Sequence, residues 1–143
     1  MTLDFVIRPE APADAPRLRY GLSPMRLTPD DRARGAWAWI AWQGELAIGG
    51  ITVVRSDAEG RFMDLAGLTA VIPTLWVEPS FREQGVGRAL LVHAIVDLRA
   101  RGFQRVMLHT NTGSTAGRRL YESSGWVVTE ADGNVIGYSL SLI

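Results

Sequence analysis

The stretch Leu75-Trp-Val-Glu-Pro-Ser-Phe-Arg-Glu-Gln-Gly-Val-Gly-Arg88 decides how this chain is read. Its first residues close an apolar run, Val71–Val77, that has the length and composition of a buried strand. A polar loop carrying Gly85 and Gly87 follows, and a helical pattern starts at once. Glycines at such a junction let backbone come close to a ligand. The first turn of a helix offers N–H groups without intrahelical partners and a partial positive charge, which together suit phosphate. Three phosphate-binding motifs compete for this arrangement. A Walker loop needs Gly-Lys-Ser/Thr, and the chain has no lysine. A dinucleotide fingerprint needs Gly-x-Gly-x-x-Gly, but position 90 is Leu. What stands is Arg82-x-x-Gly85-x-Gly87.

Outward from this loop the elements are regular. Val86, Leu90, Leu91, Ala94, Ile95 and Leu98 form one apolar helical stripe, with Gly102 as its C-terminal stop. Arg105–Thr110 reads as a strand. Ser114–Ser124 reads as a helix, with Ser114 at its cap and Gly125 at its end. Trp126–Glu130 and Val135–Leu142 are strands around an Asp-Gly-Asn turn. Upstream, Leu3–Arg8 is a short strand, Ala13–Gly21 is weakly helical, and Thr28-Pro29-Asp30-Asp31 starts another helix. Ala36–Trp42 and Glu45–Arg55 are strands joined at Gln43-Gly44. The polar segment Ser56–Gly67 is a long hairpin loop or an insertion. The order β-α-α-β-β-β-α-β-α-β-β predicts an α/β fold with a mixed sheet and helices on its faces.

Composition narrows the chemistry. The chain has 143 residues, enough for a single domain over 1–143 with its own core. It has 15 basic and 15 acidic residues and a formal net charge of zero, so no global basic field for nucleic acid or membrane is expected. No cysteine is present, which excludes disulfides, thiolate metal sites and a cysteine nucleophile. All the basic residues are arginine, so Schiff-base chemistry is excluded too. The N-terminus lacks a basic segment ahead of an apolar run, and no apolar stretch approaches the ~20 residues of a membrane span. A cytoplasmic protein is the expectation. Charge is nevertheless segregated. Residues 82–119 hold seven arginines (82, 88, 99, 101, 105, 118, 119) against Glu83 and Asp97, a local charge of 7 − 2 = +5.

The Arg82-x-x-Gly85-x-Gly87 loop between a strand and a long helix resembles the pyrophosphate-binding motif of the GNAT superfamily of acetyl-CoA-dependent N-acetyltransferases. A second feature agrees: the next strand leads to Leu120-Tyr121-Glu-Ser-Ser-Gly125-Trp126, similar to the family's Leu-Tyr helix and Gly-aromatic pair. Where the family often has Asn and Ala ahead of that Leu, this chain has Ser114 and Gly117. The resemblance in element order covers nearly the whole chain. It implies a mostly antiparallel sheet of six to seven strands, splayed between the fourth and fifth and flanked by about four helices.

The resemblance also implies roles. Acetyl-CoA would lie between the strands Val71–Val77 and Arg105–Thr110, with no metal. Trp76 and Val77 would pair with its pantetheine arm through their backbones. Arg82, Glu83, Gln84, Gly85, Val86, Gly87 and Arg88 would surround the pyrophosphate, with Ser114 and Arg118 on the facing helix. The Val77 N–H would polarise the thioester carbonyl. Tyr121 holds the position of the family's general acid for the departing thiolate, its ordinary phenol lying not far above a thiol. Glu78, directly or through water, and His109 are alternative bases for the amine, alongside bulk water or an acceptor already partly deprotonated. His93, inside the long helix, is expected to be structural. Trp37 and Trp39 share a strand face, while Trp42 points to the other. Arg17–Arg34 corresponds to the part that shapes the acceptor site, and its arginines would favour a carboxylate-bearing acceptor.

Two functions follow as expectations. The first is acetyl transfer to a primary amine of a small molecule or peptide by direct attack. The alternative is a non-catalytic module that binds acyl-CoA or a partner. Acetylation of charged tRNA is disfavoured by the neutral charge. A homodimer through the C-terminal strands would be in keeping with the family.

Overall fold

The strand Ala36–Gln43 buries side chains on both faces, so a layer must cover each side, and the chain supplies both. The computed structural model describes residues 3–55 and 68–143; the polar segment Ser56–Gly67 lies outside the described residues. One sheet carries β1 (Val6–Pro9), β2 (Ala36–Gln43), β3 (Leu46–Arg55), β4 (Thr69–Val71), β5 (Leu75–Val77), β6 (Arg105–Asn111), β7 (Val127–Asp132) and β8 (Val135–Ser141). Its order is β1-β2-β3-β4-β6-β8-β7, with β5 paired to β3. All pairings are antiparallel except β4 with β6.

β4 and β5 are two halves of the single strand expected over Val71–Val77. Val54 opposes Val71, whereas Ile51 opposes Leu75, so the register slips by one residue between them. Pro73 sits in the slip, where its missing N–H leaves no ladder bond to break. Counting the halves as one strand gives seven, within the expected six to seven.

The helix α2 (Val86–Ala100) buries all six residues of the stripe read from the sequence. It crosses the sheet at β3, where a Cβ on Gly49 would stand 3.1 Å from Val86 and 3.2 Å from Leu90. The helix α3 (Thr115–Ser123) covers the same face further along, packing Tyr121 on Tyr138 and Trp126.

The opposite face is covered by the segment 12–33. Its expected helix over Ala13–Gly21 is instead a pair of 3-10 turns, Pro12–Arg17 and Tyr20–Met25. Pro12, Pro16 and Pro24 each remove a backbone donor, so α-helical ladders cannot propagate. Leu18, Leu22 and Met25 from these turns pack with Ala38, Ile40 and Trp42 in a second core. The helix α1 (Pro29–Ala33) begins as the sequence indicates, with Thr28 and Asp31 forming a reciprocal cap. An Arg32–Glu10 ion pair ties α1 to the end of β1. Trp37 and Trp39 pack in the α2-side core and Trp42 in the other, as alternation requires. His93 stacks edge-on against Trp39 at 5.4 Å. Among the described residues no helix is long and apolar enough to cross a membrane.

Candidate active site

The pairing of β4 with β6 fails immediately after it begins. Val71 opposes Met107, and Ile72 donates one more bond to the Met107 carbonyl at 2.9 Å. From there β5 follows β3 and the rest of β6 follows β8, so the sheet opens into a V. The hydrogen-bond phase of β5 decides what faces the opening. Thr74 accepts from Thr52 at 2.9 Å, and Glu78 donates to Ile48 at 2.9 Å. Antiparallel ladders alternate, so residues 74, 76 and 78 turn their backbone toward β3. Leu75 and Val77 therefore turn their N–H and C=O groups into the V. The Val77 N–H faces the opening as expected. The backbone of Trp76 is committed to Gly50, and Leu75 takes the place expected for it.

A cleft of about 1210 Å³ occupies the V on the α2 side. Leu75, Trp76, Val77, Arg82, Glu83, Gly85, Val86, Gly87, Arg88, Ser114 and Tyr121 all line it, which brings together most of the expected cofactor residues and Tyr121. Gly85 adopts φ +87° as the residue before α2, and a Cβ there would meet nothing within 4 Å. The first bond that closes back into the helix is Ala89 N–H to Gly85 at 3.0 Å, so the N–H groups of Val86, Gly87 and Arg88 have no helical acceptor. That open cradle, the helix dipole and the adjacent arginines fit a diphosphate.

Arg82 donates its Nε–H to the Val77 carbonyl at 2.8 Å, and its guanidinium lies 4.5 Å from the Trp76 ring centre. Arg88 reaches from α2 to Ser123 at 2.9 Å and Ser124 at 3.2 Å, joining the two helical walls. The +5 segment divides in space: Arg82, Arg88 and Arg119 line the cleft. Arg99 bonds the Leu142 carbonyl, Arg101 pairs with Asp97, and Arg105 reaches Thr69. Arg118, which the resemblance implies for the cofactor site, instead donates to the Thr112 carbonyl at 3.3 Å and does not line the cleft. Its neighbour Arg119 does, and nothing in the sequence separates the two. Gln84 likewise turns away, donating to the Ser80 carbonyl at 3.3 Å. Ser114 occupies the N-cap position of α3 without making a side-chain cap bond. Its Oγ stands 2.9 Å from where a Cβ on Gly117 would be, so these two departures from the usual family residues accommodate each other.

Tyr121 is buried between Trp126 and Tyr138, with ring centres at 5.7 and 5.5 Å. Burial, with a smaller contribution from Tyr138, pushes its phenol up to about 12. This widens the gap to a thiol, which an ordinary phenol would keep narrow.

Glu78 and His109 do not line the cleft. Both lie on the opposite face of the sheet. Trp76 opposes Gly50, whose face meets Met25 of the turn Tyr20–Met25. Glu78 shares the parity of Trp76. Val54, Val71 and Met107 continue that face through β3, β4 and β6, and His109 follows Met107 on it. His109 stands just past the vertex of the V, where Thr110, pointing the other way, lines the cleft. Its Nε2 contacts Glu130 Oε1.

Four of the five arginines of the segment 17–34, Arg17, Arg19, Arg26 and Arg32, are engaged in holding that segment. Arg17 lies over Trp42, Arg26 bonds the Leu18 carbonyl, and Arg32 pairs with Glu10. Among the described residues no cluster of three or more His, Cys, Asp or Glu could hold a metal.

Comparison with known proteins agrees with this geometry. A family model described as the acetyltransferase (GNAT) family matches residues 7–126. The mycothiol acetyltransferase of Thermobispora bispora is 39% identical over 75 residues, covering 52% of this chain and 24% of that protein. The [ribosomal protein bS18]-alanine N-acetyltransferase of Escherichia coli is 39% identical over 87 residues, covering 61% of this chain and 51% of that protein. The matches thus span between about a quarter and half of these relatives' lengths. Among solved structures, yncA from Salmonella typhimurium, crystallised with acetyl-CoA, superposes with a TM-score of 0.77 at 18% identity, covering 99% of this chain and 95% of that one. The PaiA N-acetyltransferase of Thermoplasma acidophilum, in complex with coenzyme A, superposes with a TM-score of 0.75 at 15% identity, covering 97% and 99%.

Proposed function

Because the chain belongs to the GNAT acetyltransferase family, we propose that it moves an acetyl group from acetyl-CoA to a primary amine by direct attack in a ternary complex. The observation that carries this reading is the V between β5 and β6, with the Gly85–Arg88 cradle at one end and Tyr121 within it. Acetyl-CoA supplies an activated acetyl group on a thiol leaving group.

The chain's own residues do the rest. The N–H groups of Val86, Gly87 and Arg88 and the guanidinium groups of Arg82, Arg88 and Arg119 hold the phosphates. The outward backbone edge of Leu75 and Val77 takes an extended amide chain as a strand would. The Val77 N–H polarises the carbonyl under attack. Tyr121 serves as hydrogen-bond donor to the departing sulfur. Its raised pKa keeps it protonated at every physiological pH, so it stabilises the thiolate by donation and solvent completes the protonation. His109 is the better-placed base, since it stands at the vertex of the V on the face that the segment 12–33 partly covers. Glu78 lies on that face too, at the far end of β5. The exposed edge strand β7 supports a homodimer through the C-terminal strands.

The test is release of free thiol from acetyl-CoA with a panel of amines, headed by peptides that begin with alanine, the acceptor in one relative's name. Amine-dependent release is expected. Tight acetyl-CoA binding without release by any amine would instead favour a binding module.

A further inference from the structure

We propose that Glu130 is the positioning residue of the acetyl-transfer site: it holds the Nε2–H of His109 and leaves Nδ1 bare to take the acceptor's proton. This rests on the acetyl-transfer reading above. Three separate features place this one carboxylate. β7 and β8 run in register at Val127–Ser139 and Val128–Tyr138, then slip by one residue so that Glu130 opposes Gly137. Without that bulge Thr129 would oppose Gly137, and Glu130 would oppose Ile136 on the buried face. The slip brings Glu130 to the face of His109, the re-aiming that bulges provide beside functional sites.

The second feature is Gly137 itself. It is the residue of β8 that opposes both Glu130 on β7 and His109 on β6. The outer strands lie about 10 Å apart, two strand spacings, and Glu130 must cross β8 to reach the imidazole. A Cβ on Gly137 would stand 2.9 Å from Glu130 Cγ and 3.1 Å from Thr129 Oγ1, directly in that path. The third feature is the Nε2–Oε1 contact. The two side chains are 38% and 59% exposed, and an exposed pair of this kind adds little to stability. The bulge, the glycine and the contact thus serve orientation.

Orientation has a chemical consequence. A carboxylate accepts only, so neutral His109 carries its proton on Nε2, and Nδ1 is the lone-pair acceptor. As the amine nitrogen bonds to the acetyl carbon and the carbon–sulfur bond breaks, the surplus amine proton passes to Nδ1 and on to water. The sulfur leaves beside Tyr121.

The experiment is a double-mutant cycle on kcat at saturating acetyl-CoA and the best amine found. Glu130→Ala, which leaves no acceptor for the Nε2–H, is expected to lower kcat about 10-fold with the KM for acetyl-CoA unchanged. In a His109→Ala background the same substitution is expected to do nothing further. Equal losses in both backgrounds, or no loss in the parent, would overturn the proposal. The imidazole nitrogen spectrum gives a readout independent of turnover. The chain has two histidines, and His93→Gln identifies the signals of His109. A bare Nδ1 in the neutral ring is expected, and a protonated Nδ1 overturns the assignment. Thiol release that is indifferent to Glu130 overturns this role alone. No amine-dependent release by the unaltered protein overturns the acetyl-transfer reading and this role with it.

Discussion

The Nε–H of Arg82 is bonded to the carbonyl of Val77 at 2.8 Å, inside the opening where β5 has lost its neighbour. The guanidinium thus satisfies the acceptor that an extended ligand amide would need. It also stacks on Trp76 at 4.5 Å, which helps to hold it in place. On the proposed reading, coenzyme A binding would be an exchange, in which the amide takes the carbonyl and the guanidinium turns to phosphate.

That exchange separates two parts of the ligand. Arg82→Ala is expected to weaken coenzyme A binding by about 10- to 100-fold, the worth of one charge-assisted hydrogen bond. A phosphate-free pantetheine thioester is expected to bind the variant no more weakly than the parent, because its competitor for the Val77 carbonyl is gone. Arg82→Lys is expected to restore little, since a point charge lacks the planar fork that bonds and stacks at once. Calorimetric titration of both ligands checks this, and equal weakening of the two would refute the exchange.

A second prediction concerns the other side of Trp76. A Cβ on Gly21 would stand 2.0 Å from the indole Cε2, closer than any adjustment of one side chain can absorb. Gly21→Ala is expected to push the turn Tyr20–Met25 off the sheet, with a loss of about 1–3 kcal/mol. Because this turn covers the face proposed for the acceptor, KM for the amine is expected to rise more than KM for acetyl-CoA. Thermal unfolding together with steady-state kinetics distinguishes this from general unfolding, which would raise both.

Much of this was legible in the residues, and what was not has physical causes. Val86, Leu90, Leu91, Ala94, Ile95 and Leu98 announce α2 because helical period and burial coincide there. The Gly85–Gly87 loop is legible because it stands between a strand and a long helix, and Tyr121 because Leu120-Tyr121 and Gly125-Trp126 resemble the family's pattern. The break between β4 and β5 is not legible, although Pro73 is visible, because the slip depends on which strand each half pairs with. The choice of Arg119 over Arg118 depends on the Thr112 carbonyl, which a loop brings to Arg118. Glu130 is invisible for a similar reason. Strict alternation from Val127 would place it on the buried face, and a bulge of one residue reverses that.

The cap of α1 makes a third prediction. Thr28 accepts from the Asp31 N–H at 3.0 Å, and its own N–H donates to the Asp31 carboxylate at 2.8 Å. The backbone and side-chain bonds to Thr28 hold the Asp31 carboxyl below its ordinary value, with Arg34 and Arg32 adding to the effect. A carboxylate lowered in the fold stabilises above its ordinary range, and that contribution disappears as pH falls through the lowered value. Thr28→Ala is expected to destabilise by about 1 kcal/mol at neutral pH. Asp31→Asn is expected to flatten the acid limb of the stability curve, as urea unfolding at pH 7 and pH 3 would show. An unchanged limb in Asp31→Asn counts against the cap.

In the proposed reaction Tyr121 would join chemistry and stability in one side chain. Tyr121→Phe removes the hydrogen-bond donor but keeps the ring between Trp126 and Tyr138. The expected result is a kcat about 10²-fold lower with KM for acetyl-CoA unchanged. An unchanged kcat with a fast amine would remove Tyr121 from the mechanism. The second signature is alkaline. In the fold the phenol is pushed up to about 12, against an ordinary value of 10.0. Its neutral form is thus favoured by folding, and the contribution is complete below pH 10. Between pH 10 and pH 12 the unfolded chain ionises first, and stability falls by up to about 3 kcal/mol. Tyr121→Phe has no proton to lose there, so its urea midpoint is expected to decline less between pH 8 and pH 11 than that of the parent. Parallel declines would show that the Tyr121 phenol is not held neutral by its burial.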